Sequence, residues 1–261
     1  MAPQSENLRG IALMVATIAS FTFADLFLKL STKALPTGEV MMAFGIGCAI
    51  GFYLILCQRG ERVWNRAFFE QSVVLHNFGE VVATIGIHRI SAVTVGFVGV
   101  LMIVSPGMDD FNLYSLIAVF GVLGMSMRDI GSRLTPKSIS TMLLSLYSSL
   151  LVTLARVGML CGTEWLLWPN SQAWFYLFGM TVLGGVGLVL LTTATRIGEL
   201  SVISPFRYTR IFFASAVGVM ILGETIDFMT YFGGALIVVA GIYVWIRERR
   251  RQTGKPLPQK I

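Results

Sequence analysis

Two arginines lie well inside an apolar stretch near the C-terminal end of the chain. The stretch SVISPFRYTRIFFASAVGVMILGE, residues 201–224, is apolar enough to span a membrane, yet it contains Arg207 and Arg210. A helix rises about 1.5 Å per residue, so Arg210 would lie ~14 Å into a span that begins near Ser201. A charge at the centre of a span costs about 2.5–3.5 kcal/mol on insertion scales. We therefore predict that both arginines face a wet cavity or buried acidic partners rather than lipid.

The residues around these arginines suit recognition of a planar or anionic group. Arg207 and Arg210 are three residues apart and share a helix face. Phe206 and Tyr208 bracket Arg207, and guanidinium groups together with aromatic rings bind planar or anionic groups. We predict substrate contacts at these four residues and at Tyr147 of another apolar segment. The alternative is that the arginines snorkel or form charge pairs that only fix helix packing, and that Tyr147 only packs between helices.

Other charged and titratable residues occur at helical spacing. His76 and Glu80 are four residues apart, so they share a face and could exchange protons in a transport cycle; the alternative is a wet structural role. Asp25 precedes Lys29 by four residues, and Asp129 precedes Arg133 by the same spacing. This spacing predicts an ion pair within each of two helices.

The composition indicates an all-α polytopic membrane protein. The chain of 261 residues is 55% hydrophobic and 13% charged, with a mean hydropathy of +0.74, whereas soluble domains carry roughly a quarter charged residues. The chain contains nine apolar segments. A span needs ~20 apolar residues, and eight of the nine segments can meet that length. The third of the nine, at 71–87, is short and contains His76 and Glu80. The nine segments are 9–31, 38–57, 71–87, 90–106, 113–130, 140–161, 172–196, 200–222 and 228–246.

Several classes of protein lack support in the sequence. The three cysteines, Cys48, Cys57 and Cys161, have neither metal-site nor disulfide spacing. No metalloprotease or nucleophile-elbow motif occurs, so we expect no enzyme activity, no cofactor and no metal. The net charge of +6 is concentrated in short loops and the C-terminal tail, which is a topology signal rather than a sign of nucleic-acid binding.

The basic residues predict the orientation of the chain. If segment 71–87 does not cross and the N-terminus is cytoplasmic, 15 of the 20 basic residues lie on the inner side and only Lys29 and Lys33 lie on the outer side, with the other three inside spans. Basic loops face the cytoplasm. The count therefore predicts eight full spans plus one re-entrant, interfacial or buried segment, with both termini cytoplasmic. We expect this membrane to be the inner (cytoplasmic) membrane of a cell.

The two halves of the chain share a local pattern. FADLFLKL at 23–30 and MRDIGSRL at 127–134 both place an aspartate four residues before a basic residue. In the predicted topology, Asp25 lies at the outer end of its helix and Asp129 at the inner end of its own. Similar sequence in opposite orientation is what an inverted repeat gives.

Four features together resemble the drug/metabolite transporter superfamily, specifically its EamA-type members. They are the paired half-starts, HRISAVTVGFVGVLMIVSPG at 88–107, SPFRYTRIFFASAVGVMILGE at 204–224 and FGGALIVVAGIYVWIRERR at 232–250. The resemblance implies an inverted-repeat helix bundle with two five-helix halves, ten spans and a central cavity for a small molecule.

The first half departs from that pattern. Residues 108–247 supply all five helices of a second repeat, but residues 1–107 form a shortened first repeat that lacks about one and a half helices near 84–88. We therefore expect eight or nine membrane helices, followed by a basic cytoplasmic tail at 248–261. Since the missing helix would help to wall the cavity, a non-transporting remnant is an alternative to a working carrier.

The stretch SPFRYTR is similar to that of bacterial carriers of riboflavin or S-adenosylmethionine. Two arginines would repel the sulfonium of S-adenosylmethionine, whereas a flavin ring can stack on guanidinium and tyrosine. Riboflavin uptake is therefore the first prediction; S-adenosylmethionine or another amphiphilic metabolite or drug is the alternative. The expected partners are a small-molecule substrate and the lipid bilayer, with no nucleic acid; a homodimer is left open.

The topology can be tested with reporter fusions placed after Asp110 and after Arg251. We expect a periplasmic signal after Asp110 and a cytoplasmic signal after Arg251, because the loop at 106–112 lacks Lys and Arg while the tail is basic. A periplasmic signal after Arg251 would contradict the eight-span topology.

Overall fold

A computed structural model describes residues 4–63, 66–90, 113–160 and 167–223, and its regular elements in these ranges are helices. Short 3-10 helices occur at Arg66–Phe69 and Ser204–Thr209. Four predicted features lie outside these ranges: the span at 90–106 except for Ile90, the span at 228–246, the loop around Asp110 and the tail at 248–261. The α-helices are α1 Gln4–Ser31, α2 Thr37–Gln58, α3 Gln71–Ile90, α4 Leu113–Leu134, α5 Thr141–Leu160, α6 Ser171–Ile197, α7 Leu200–Ile203 and α8 Arg210–Leu222.

The helices confirm the predicted all-α polytopic membrane fold. Six of the predicted segments coincide with α1 to α6 to within five residues at each end. Among the described helices, α1, α2 and α6 are long and apolar enough to cross a membrane. The start of α6 is fixed by Asn170, whose side-chain oxygen accepts a hydrogen bond of 2.7 Å from the Ala173 amide and so caps the first turn.

The third apolar segment forms a continuous helix packed along α4. Val73, His76 and Asn77 on one face of α3 are buried, whereas Val74 and Phe78 on the other face are exposed; whether this segment crosses the membrane stays a prediction. A Cβ built on Gly131 would lie 2.4 Å from the His76 amide nitrogen, and one on Gly79 would lie 2.3 Å from the Arg128 amide nitrogen. Because residues 76 and 79 face residues 131 and 128, the two helices run antiparallel.

The segment predicted as one span over 200–222 is instead broken. It consists of the short helix α7, the 3-10 helix Ser204–Thr209 and α8. Pro205 gives the physical reason, because proline has no amide hydrogen and its ring clashes with the carbonyl four residues earlier in an α-helix. Arg207 therefore lies in the 3-10 helix, and Arg210 begins α8. The described part of α8 ends at Gly223, whose left-handed φ of 66° suits a helix C-terminus.

Close antiparallel packing also joins α1 to α6. The Ser20 hydroxyl donates a 2.6 Å hydrogen bond to the Leu183 carbonyl. A Cβ built on Gly10 would lie 3.1 Å from Gly198 Cα, and one on Gly179 would lie 2.9 Å from the ring of Phe27. A second core joins α2 to α5. Its buried members are Cys48, Ala49, Phe52, Leu56, Val73, Ile139, Leu143, Leu144, Leu146 and Tyr147.

The contacts at the helix ends establish the direction of α4. Arg133, in the last turn of α4, donates to the carbonyl of Gly198 just after α6. Arg196, in the last turn of α6, donates a 2.9 Å hydrogen bond to the Pro136 carbonyl just after α4. The C-terminal ends of α4 and α6 therefore lie together. Since α6 runs antiparallel to α1, the helices that contain Asp25 and Asp129 run in opposite directions; the repeat itself stays a prediction.

The glycine contact between α3 and α4 predicts a position-specific effect on stability. In Gly131→Ala, the new methyl group would meet the His76 backbone at 2.4–2.6 Å, so the helices must move apart. Overpacking of this kind costs about 1–3 kcal/mol. Thermal unfolding of the purified protein should show a lower midpoint for Gly131→Ala.

The matched control is Gly51→Ala in α2, where a built Cβ meets no atom within 4 Å. Alanine is about 0.5–1 kcal/mol more favourable than glycine inside a helix, so this variant should be neutral or slightly more stable. Equal loss of stability in the two variants would contradict the close crossing of α3 and α4.

Candidate functional site

A cluster of charged side chains lies between α3, α4 and the broken segment. Arg128 Nη1 lies 3.1 Å from Glu80 Oε2, and Arg128 Nη2 lies 3.1 Å from Asp129 Oδ1. Arg128 Nε donates a further hydrogen bond of 3.3 Å to the same Asp129 oxygen. Arg128 and Asp129 are buried. A buried guanidinium requires carboxylate partners of this kind, because an unpaired charge in an apolar interior is strongly destabilising.

Arg207 reaches the same aspartate from the broken segment. Its Nη2 lies 2.5 Å from Asp129 Oδ2, with side-chain exposures of 27% for Arg207 and 12% for Asp129. Among the described atoms, neither Nε nor Nη2 of Arg207 has a hydrogen-bond partner, so the contact with Asp129 is an ion pair. Asp129 is therefore held between two guanidinium groups, one on its own helix and one on the 3-10 helix.

Arg210 forms a second ion pair, with a different helix. Its Nη2 donates to Asp25 Oδ2 of α1 at 2.5 Å. The exposed fractions of the two side chains are 40% for Arg210 and 47% for Asp25. The two pairs therefore differ in environment: Arg207–Asp129 is mostly covered, and Arg210–Asp25 is half-exposed.

The ion pairs differ from those predicted within single helices. Asp129 contacts Arg128 and Arg207, while Arg133, its predicted partner, donates to a backbone carbonyl. Asp25 pairs with Arg210, and its predicted pair with Lys29, one turn further along α1, stays a prediction. The physical reason is that partially buried guanidinium groups from elsewhere in the chain need these carboxylates, which outweighs the small gain from an ion pair on one helix.

Polar side chains of α3 extend the charged cluster toward α4 and α5. His76 Nδ1 lies 2.7 Å from Ser132 Oγ and 3.0 Å from the Arg128 carbonyl. Asn77 Oδ1 accepts a 2.9 Å hydrogen bond from Ser148 Oγ. Both α3 residues are buried. His76 and Glu80 thus contact the same short stretch of α4, as their shared helix face implies.

A small cavity lies beside this cluster. Its volume is about 10 Å³, which is at the lower limit for a single water molecule. One buried lining atom, Ser145 Oγ, lacks a hydrogen-bond partner among the described atoms. The lining residues are His76, Glu80, Arg128, Ser145, Ser148, Leu188, Leu191 and Thr192. A larger opening of about 210 Å³ lies elsewhere, against Leu30, Lys33, Ala34, Asn170, Gln172, Ala173 and Tyr176, and none of the predicted site residues lines it.

The structure separates Tyr147 from the other predicted substrate contacts. Its hydroxyl donates a 2.8 Å hydrogen bond to the Val63 carbonyl, and its ring meets Phe68 edge-on with centroids 5.0 Å apart. Tyr147 is buried in the core between α2 and α5, as the packing alternative describes, and its contact with substrate stays a prediction. Phe206 packs against a core that contains Met14, and Tyr208 is partly exposed on the 3-10 helix.

Arg128 is the main residue of the cluster that sequence reasoning missed. The charge count placed it with the cytoplasmic loop residues, whereas the structure buries it between Glu80 and Asp129. Two signals in the sequence point to it: its position beside Asp129, and the otherwise unpaired Glu80 in an apolar segment. The pairing with Glu80 depends on the crossing of α3 and α4, which local spacing does not reveal.

Comparison with known proteins places this helical bundle among transporters. The chain is 26% identical over 162 residues to the S-adenosylmethionine uptake transporter of Rickettsia prowazekii, which covers 62% of this chain and 54% of that protein. It is 26% identical over 176 residues to the riboflavin transporter of Vibrio cholerae, covering 64% of this chain and 57% of that protein. The S-adenosylmethionine uptake transporter of Rickettsia bellii is also 26% identical, over 62% of this chain and 55% of that protein.

The matched portion spans about half the length of these curated relatives. No solved structure shows significant similarity to the chain. Residues 112–247, just over half of the chain, match the EamA-like transporter family. The chain is therefore a multi-pass membrane protein that belongs to the EamA-like transporter family.

Proposed function

We propose that this protein carries a small organic metabolite across the inner membrane, with both termini cytoplasmic. Arg207 and Arg210 of the broken segment are the residues proposed to act in transport. One observation carries the proposal. The broken segment contributes two arginines, and these pair with aspartates on α1 and α4, two helices that run in opposite directions. The segment thus links the two parts of the bundle that would move relative to each other during transport.

Physical chemistry supports a transport role for this arrangement. Ionisable residues inside spans are costly and commonly line pathways for substrates or ions. Discontinuous helices form the central sites of many transporters, because their irregular backbone can line a polar cavity. Ion pairs between separate elements can also break and reform, as alternating access requires. The broken segment combines two arginines, an interruption of α-helical geometry and ion pairs to two other helices.

The substrate candidates are riboflavin and S-adenosylmethionine, which are the compounds that the names of the relatives specify. Riboflavin came first in the sequence analysis because two arginines would repel a sulfonium cation. Each of these arginines has a carboxylate at 2.5 Å, so that repulsion is largely neutralised. Riboflavin and S-adenosylmethionine are therefore equally supported substrate candidates, and other amphiphilic metabolites form the wider class.

Glu80 and His76 are the proposed proton-coupling residues. Glu80 pairs with Arg128, and both Glu80 and His76 line the small cavity. A proton on Glu80 would remove its negative charge and weaken its hold on Arg128, which also holds Asp129. Protonation at one position would thus change the ion pairs that reach the broken segment.

Uptake of radiolabelled riboflavin and S-adenosylmethionine by proteoliposomes tests the proposed function, with protein-free liposomes as the control. We expect saturable uptake of one compound, and at least a tenfold loss in Arg210→Lys, because lysine keeps the charge but loses the planar fork of guanidinium. The folded yield of Arg210→Lys should remain near that of the parent.

Two other outcomes would contradict this account. If Arg210→Lys transports normally while Arg210→Ala loses folded yield, the arginine only stabilises the bundle. If the parent protein takes up neither these compounds nor other amphiphilic metabolites, the non-transporting alternative replaces the carrier.

A further inference from the structure

The small cavity beside the charged cluster is bounded by four helices. His76 and Glu80 belong to α3, Arg128 to α4, Ser145 and Ser148 to α5, and Thr192 to α6. The volume of about 10 Å³ suits a single water molecule. A buried water needs two to four polar partners, and these four helices supply them.

Two hydroxyl groups of the wall determine what the cavity can hold. Ser148 Oγ donates to Asn77 Oδ1 at 2.9 Å and to the Leu144 carbonyl at 3.1 Å. Thr192 Oγ1 donates to the Leu188 carbonyl at 2.9 Å. A hydroxyl has one hydrogen and two lone pairs. Because each hydrogen is directed to a carbonyl oxygen, any further contact of these hydroxyl oxygens uses a lone pair. An occupant must therefore donate hydrogens, as water does, or carry positive charge.

The contacts of His76 with α4 fix the position of its ring hydrogen. Its Nδ1 lies 3.0 Å from the Arg128 carbonyl. A carbonyl oxygen can only accept, so Nδ1 carries the hydrogen and Nε2 is the basic nitrogen of the neutral ring. Ser132 Oγ, which lies 2.7 Å from Nδ1, itself donates to the same carbonyl at 3.0 Å and is thus an acceptor toward the ring. A proton can therefore be added to His76 only at Nε2.

The spacing of His76 and Glu80 matches a bridge of one water molecule. Residues one helical turn apart have Cβ atoms about 5–6 Å apart, and two hydrogen bonds of about 2.8 Å placed end to end span a similar distance. Among the described lining residues, the ionisable ones are His76, Glu80 and Arg128, and α5 and α6 contribute uncharged side chains. Asp129 contacts Arg128 on α4. The guanidinium in the wall repels a metal cation, which favours water as the occupant.

We infer that the cavity is a proton-relay site, in which one water molecule positioned by Ser148 and Thr192 connects His76 Nε2 with Glu80. A proton binds Nε2 and gives an imidazolium. The water takes that proton and passes one of its own to the Glu80 carboxylate, so the neutral imidazole and the water are restored and Glu80 becomes a carboxylic acid. This inference rests on the proposed function, in which His76 and Glu80 couple protons to transport. It adds Thr192 of α6 as a positioning residue.

Magnetic resonance of the full-length protein in lipid bilayers tests the site without any substrate, with histidine labelled at both ring nitrogens. The chain has 2 histidines, His76 and His88, so His88→Gln assigns the signals. We expect the Nδ1–H tautomer for neutral His76 and magnetisation transfer from a bound water to Nε2. Thr192→Val should weaken this transfer at least fivefold, because valine has nearly the shape of threonine but no oxygen lone pair.

The matched control is Thr193→Val on the same helix. Thr193 Oγ1 donates to the Val189 carbonyl at 2.7 Å, so this variant loses the same kind of hydrogen bond, yet residue 193 is not among the described residues that line the cavity. It should keep the water signal of the parent. Equal loss in both variants, or an unchanged signal in folded Thr192→Val, would overturn the inference. If Thr192→Val does not fold, the parent decides: an Nε2–H tautomer or no bound-water signal would overturn it.

Uptake by proteoliposomes separates the relay from the proposed carrier function. The readout is the ratio of riboflavin or S-adenosylmethionine uptake with and without a pH gradient that is acidic outside. We expect a ratio of at least five in the parent and in Thr193→Val, and below two in Thr192→Val. Uptake by the parent that responds to a sodium gradient but not to pH would refute the relay and leave the carrier in place. Absence of uptake would refute the carrier and the relay's role in transport, while the resonance measurement still decides the water site.

Discussion

Charges inside an apolar bundle must be paired, and this constraint determines how the centre of the molecule is built. Arg128, Arg207 and Arg210 lie in or beside apolar helices, and each contacts a carboxylate from another position in the chain. The three carboxylates come from three different helices, α1, α3 and α4. Pairing the charges therefore also holds these helices and the broken segment in one arrangement, since loss of a single partner leaves an uncompensated charge.

Close helix packing makes that pairing geometrically available. The contact of Gly131 with the His76 backbone, and of Gly79 with Arg128, brings α3 near enough to α4 for Glu80 to reach Arg128. The 3-10 helix around Pro205 likewise determines the positions of the two arginines of the broken segment. Arg207 and Arg210 reach α4 and α1 respectively. Local backbone features thus select which charges meet.

The sequence predicts the helices well but not the partners of their charged residues. Apolar length identified α1 to α6, because a span needs about twenty apolar residues whatever surrounds it. The change to 3-10 geometry at 204–209 was missed, because apolar length alone does not take account of Pro205, which disrupts α-helical hydrogen bonding. The pairs of Asp25 and Asp129 were assigned within single helices because spacing reports only local neighbours. In the structure Asp25 pairs with Arg210, 185 residues away, and Asp129 pairs both with the adjacent Arg128 and with Arg207, 78 residues away. The same limit concealed Arg128 and the hydrogen bond that the Tyr147 hydroxyl donates to the Val63 carbonyl.

The central claim is that an ion pair ties the broken segment to α1, and a charge swap tests it most directly. The measurement is the thermal stability of Asp25→Arg, Arg210→Asp and the double variant that contains both substitutions, beside the parent protein. We predict that each single variant is destabilised by like charges at the contact. The double variant should recover stability, with a coupling free energy of about 0.5–3 kcal/mol, as for residues in direct contact. A double variant whose loss equals the sum of the two single losses would contradict the claim.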